Sequence, residues 1–238
     1  MQENQIPVAP IIFIIFAIIA VVLFAGLIIF FIFLFSRAAK RRSYDTSRGQ
    51  QMQQAAGQIG FSYQAQAPVT SLAFFSGYEL YEGVPVSIEN LMTGRINGDN
   101  ASVFDLVFRN AGGAVGYGSR TSRQTMYVLT SNHLALPEFH LRPEGISEKV
   151  LPEFSRVDID FLERPVFSDR YLLYGKDETA IRRLFSLQNL DFFEKNQNLC
   201  IFGRGNCLFL HQSKTLSSPQ QISQYFQFLA YIRDLFRQ

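Results

Sequence analysis

Cysteine is nearly absent: the 238 residues contain two, Cys200 and Cys207, in the segment LCIFGRGNCLF. An extracellular domain of this size held by disulfides would carry more of them in a spaced framework. Zinc spacing is missing too, because only His211 stands nearby. The two thiols read as reduced core residues. A turn at Gly203-Arg204 would bring them face to face, and a turn one or two residues later would separate them. Histidine is equally sparse. His133, His140 and His211 show no ligand or base spacing, and no GxSxG, HExxH or Cys/His nucleophile pattern occurs. No catalytic residue, metal or cofactor is assigned on this basis.

Charge is the next absence. From Ile11 to Phe35 the chain reads IIFIIFAIIAVVLFAGLIIFFIFLF, 25 residues without a charged, amide or hydroxyl side chain. At ~1.5 Å per residue such a helix would span about 37 Å, more than a bilayer core of about 30 Å. The first ten residues contain no Lys or Arg, and no small-residue cleavage site precedes the basic cluster, which disfavours a cleaved signal peptide. The expectation is one transmembrane helix over 11–36. Arg37, Lys40, Arg41 and Arg42 follow it directly and are expected to touch the membrane surface. The positive-inside rule then places residues 1–10 outside the inner membrane and the bulk of the chain in the cytoplasm.

Beyond the basic arm (37–48) the chain holds 17 basic and 18 acidic residues. A nucleic-acid binder would concentrate positive charge on the domain itself, so that partner class is not expected. The partners expected are the bilayer and a membrane or cytoplasmic protein.

Residues 49–238 read as one α+β domain with an antiparallel sheet and flanking helices. Met52, Ala55, Ala56 and Ile59 keep helical spacing, and Gly60 can end that helix. The period then becomes two. Strands are expected over Val84–Ile96, Ala101–Arg109, Thr121–Ser131, Leu136–Arg142, Val157–Phe161 and Tyr171–Tyr174, with Asn97-Gly98 as a hairpin turn. A helix capped by Asp177 and a hairpin over 199–211 follow. A last helix opens at Ser218-Pro219 and carries Ile222, Tyr225, Phe226, Leu229 and Phe236.

Three features invite a chemical reading. The Gly-rich stretch 112–120 lacks the lysine of a phosphate loop and leads into a strand, so it reads as a hairpin loop. Asp158 and Asp160 have the spacing of a divalent-ion pair if they share one face of a strand. Asp105 lies between Val103 and Val107, and if that face is buried it needs a partner such as Arg95 or Arg123.

VFDLVF (103–108), SRQTMYVL (122–129), LPEFHLRPE (136–144), DIDF (158–161) and FSDRYLLYG with DETAIRRLF (167–185) carry a resemblance to a family. The chain resembles an uncharacterised family of bacterial single-span membrane proteins. That resemblance implies a bacterial inner-membrane protein and supplies no functional residues. The function expected is a membrane-tethered, non-enzymatic interaction domain, an accessory subunit of a membrane complex. One alternative is a tethered hydrolase or nucleotide- or metal-dependent enzyme built on the Gly-rich loop and Asp158/Asp160. The other is a module that binds anionic lipid.

Overall fold

Alternating side chains on long strands dictate the architecture. The computed structural model describes residues 23–24, 26–31, 46–71, 83–110, 121–144 and 158–237. Contacts divide the chain into two compact units, Met1–Gln50 and Gln51–Gln238, and the second holds every described strand.

That unit is α+β. Helix α1 (46–59) ends at Gly60, whose φ of +72° suits a residue without a Cβ, and the Phe61 amide returns to the Ala56 carbonyl at 2.8 Å. The strands are β1 (Ser62–Ala67), β2 (Gly83–Ile96), β3 (Asp99–Asn110), β4 (Thr121–Thr130), β5 (Leu136–Pro143), β6 (Tyr171–Gly175), β7 (Cys200–Gly205) and β8 (Cys207–His211). The short α2 (Pro165–Ser168), α3 (Glu178–Leu184) and α4 (Leu187–Lys195) surround β6, and α5 (Ile222–Leu235) closes the described chain. All eight strands form one antiparallel sheet in the order β1-β2-β3-β4-β8-β7-β5-β6.

Alternation assigns the two faces. Val103, Tyr127, Leu129, Ile201 and Leu210 point to one side, where Met52 and Ala56 of α1, Ile181 of α3, Phe193 of α4 and Phe226 of α5 join them. Phe104, Leu106, Phe108, Met126, Val128, Phe202 and Phe209 make a second buried cluster on the opposite face. Burying a side chain of this size stabilises the fold by about 1.5–3 kcal/mol relative to exposing it. The expected turn is present: Asn97 and Gly98 have φ of 51° and 89°, and Ile96 pairs with Asp99 across it. Asp177 caps α3, its carboxylate accepting from the Ala180 amide at 2.9 Å.

Three expectations need correction. Among the described residues no helix is long and apolar enough to cross a membrane. This overturns the single-pass anchor over Ile11–Phe35. Of that run the described part is 23–24 and 26–31, eight helical residues. The rest of the run, and Arg37, Lys40, Arg41 and Arg42, lie outside the described residues, as do 112–120. Bilayer contact, the inner-membrane placement and the tethered function fall with the anchor.

The second correction concerns 158–161, which is not a strand. Ile159 makes one exchange with β6, its amide donating to the Leu173 carbonyl at 2.7 Å, and Asp158 uses its side chain for the next bond. The third is an omission: β1 is a strand despite a composition of Ser, Tyr, Gln and Ala. The cysteines are separated, because Arg204 pairs with Cys207 and Cys200 with His211, so the turn falls at Gly205-Asn206. Neither forms a disulfide, and Cys200 is buried while Cys207 is partly so.

Candidate functional site

Register places a polar row at one end of the sheet. Arg95 pairs with Asn100, and Asn100 pairs with Thr130, so the three stand side by side on one face of β2, β3 and β4. At ~4.8 Å per strand the row is about 10 Å long. Asn97 at the hairpin tip, with Asn132 and His133 from the β4–β5 connection, completes a hollow of about 160 Å³. At ~30 Å³ per water that is room for about five waters.

The charge of this pocket is set from behind. Asp99 also lines it, but its carboxylate is buried and ion-paired with Arg233 of α5. Arg95 is exposed, and among the described residues it makes no ion pair, so a guanidinium is the uncompensated charge at the rim. A guanidinium, an imidazole, three amides and a hydroxyl can hold an anion or a group dense in hydroxyls.

Asp105 lies elsewhere. It is 1 % exposed, in the middle of β3. A register shift between Glu89 and Met92 makes a bulge in β2, and Asn90 within it has φ of 54°. The bulge aims the Asn90 amide at Asp105, Nδ2 donating to Oδ2 at 2.8 Å. Thr125, directly opposite on β4, donates from Oγ1 to Oδ1 at 2.8 Å and accepts from the Ser217 amide at 3.0 Å. The Tyr63 hydroxyl donates to Asn90 Oδ1 at 2.9 Å, and burial, with the Asp105 charge second, raises its pKa. Arg123, the other charge near this face, pairs with Glu89 at 3.2 Å. The cluster ties β1, β2, β3 and β4 to the segment that leads into α5. Asp105→Ala would leave a buried amide and hydroxyl short of their acceptor. It is expected to cost about 3 kcal/mol of stability in urea unfolding, with Asp105→Asn retaining part.

Asp158 and Asp160 are at the far side of the sheet. Strand β6 is five strands from β3, about 24 Å along the sheet at ~4.8 Å per step, so these carboxylates do not meet Asp105. Nor do they form a pair. Asp158 Oδ1 accepts from the Leu173 amide at 2.8 Å, Ile159 is buried between them, and Asp160 is exposed, with its carbonyl accepting from Arg182 at 2.8 Å. Among the described residues no three His, Cys, Asp or Glu side chains are grouped to hold a metal ion.

Burial raises the Asp158 pKa, against the opposing Leu173 hydrogen bond and with Asp160 adding to it. A carboxyl whose folded pKa exceeds its unfolded one favours the fold most below the unfolded value, and loses that contribution as pH rises through the folded value. Asp158→Asn keeps an acceptor for Leu173 without the buried charge. Its Tm is expected above wild type at pH 7 and level with it in acid, where both side chains are neutral. A lower Tm at pH 7 would contradict this.

The histidines serve different surroundings. His133 is exposed at the pocket, and His140 is buried with its ring 4.5 Å from Phe202 and 5.4 Å from Tyr174. Burial pushes His211 down to about 4, so it is neutral at physiological pH.

No family model matches the chain, and no curated protein matches it. A solved structure does. The crystal structure of the mycobacterial trehalose monomycolate transport factor A, TtfA, aligns with a TM-score of 0.57 at 16% identity. The alignment covers 79% of this chain and 94% of that one. At this identity the likeness shows the fold alone. The resemblance to a family of single-span membrane proteins is corrected: no family model matches, and the likeness found is one of fold.

Proposed function

We propose that the chain is a transport factor for a lipid with a hydroxyl-rich head, and that the pocket beside Arg95 receives that head. The observation that carries the reading is the fold likeness over 94% of a trehalose monomycolate transport factor. The chemistry of the pocket supports it. Sugar hydroxyls both donate and accept, and Asn97, Asn100 and Asn132 supply amides that do the same. Arg95 and His133 add directional donors at the rim, while Arg233 holds the one carboxylate away from solvent. The reading is of a binding protein that moves its ligand unchanged.

Titration of the full chain with trehalose, followed by amide chemical shifts, tests it. Saturable shifts are expected at residues 95–100 and 130–133, and Arg95→Ala should abolish them without changing Tm, since Arg95 is exposed. Saturating trehalose that moves no signal in those two segments would remove the head-group reading.

A further inference from the structure

The hollow beside Arg95 is richer in donors than in acceptors. Arg95, Asn97, Asn100, Asn132 and His133 are exposed around it, and among the described residues none of their side chains makes a hydrogen bond or an ion pair. At the hairpin tip the Asn97 and Gly98 amides likewise donate to no carbonyl among those residues. The loop that carries Asn132 and His133 is held in place. The His133 amide donates to Ser131 Oγ at 3.2 Å, the Leu134 amide to the Ser131 carbonyl at 3.2 Å, and the Ser131 amide to the Asn206 carbonyl at 3.0 Å.

The carboxylates nearby are already engaged. Asp99 is buried against Arg233, and Asp234 lies 2.8 Å from the same guanidinium. Among the described residues no other carboxylate lines the hollow, so nothing there balances Arg95.

We propose that this hollow is a phosphate site, and that the head it takes carries a phosphate ester. The inference rests on the head-group reading above for the hydroxyls and adds the charge. A guanidinium offers a planar fork of donors that fits two phosphate oxygens, and it stays protonated throughout the physiological range. The tip amides and the Asn Nδ2 groups supply further donors for a group that has oxygens to spare. A neutral sugar would leave the Arg95 charge unanswered.

Amide shifts of the full chain, titrated in parallel with trehalose, trehalose 6-phosphate and inorganic phosphate, test the site. The ester should saturate residues 95–100 and 130–133 at a concentration about tenfold or more below either of the others. Added salt should weaken the ester and leave trehalose unchanged. Asn100 pairs directly with Arg95, so Asn100→Asp sets a carboxylate beside the guanidinium. That variant should erase the preference for the ester while trehalose binding and Tm are kept. An ester that binds no tighter than trehalose overturns the phosphate site and leaves the head-group reading standing. Inorganic phosphate as tight as the ester overturns it too, as does a preference that survives Asn100→Asp. Shifts from the ester with none from saturating trehalose would keep the phosphate site and remove the head-group reading. Silence from all three overturns both.

Discussion

Phe139→Ala is expected to remove about 3–5 kcal/mol of unfolding free energy, the range for an aromatic truncated in a packed core. Phe139 is fully buried on β5, with edge-on contacts to Phe185 at 5.2 Å and Phe236 at 5.6 Å. Its ring packs against β7, where a Cβ on Gly203 would sit 2.3 Å from it. The ring therefore joins β5, β7, the end of α3 and the end of α5, and backbone on the β7 side limits how far the hole can collapse. Against a typical total of about 5–15 kcal/mol, such a loss brings the fold close to its limit. Urea unfolding measures it, and a loss below about 1 kcal/mol would contradict this description of the core.

Arg233→Met is expected to cost a comparable amount, about 3–5 kcal/mol, because it strands a buried carboxylate. The Arg233 and Asp99 side chains are 10% and 7% exposed, and Arg233 reaches Asp234 at 2.8 Å as well. Adding Asp99→Asn to Arg233→Met should recover much of the loss, since the unpaired charge is then gone. Equal stability of the single and double variants would contradict a desolvated pair. The pair also fixes α5 behind the pocket, so Arg233→Met should weaken head-group binding while Arg95 itself is intact.

Much of the sheet was legible from alternation alone. Phe104, Leu106 and Phe108 against Val103, Asp105 and Val107 define two faces, and both faces are buried as that pattern requires. Asn97-Gly98 fixed the hairpin for the same local reason: both residues tolerate positive φ. Strand β1 was not legible. Its exposed Gln and Ala have neither the β-branching nor the alternation of a half-buried strand, and long-range pairing with β2 is what holds it.

Segment 158–161 failed in the other direction. Its polar-apolar alternation reflects buried Ile159 and Phe161 and an Asp158 that substitutes a carboxylate for backbone pairing. The partners of Asp105 are not legible as opposite charges because Asn90 and Thr125 are neutral, and Asn90 arrives through a bulge. The pocket depends on register. Arg95 and Thr130 are 35 positions apart, and only the β2-β3-β4 pairing brings them into one row.

Transport itself is the most direct measure of the central claim. In the native host with this gene removed, newly labelled lipids can be followed from their site of synthesis to the cell surface. The account predicts that a sugar-headed lipid accumulates where it is made and reaches the surface more slowly. Wild-type chain should restore delivery, and Arg95→Ala should not. Delivery of every labelled lipid at the normal rate without the chain would contradict it.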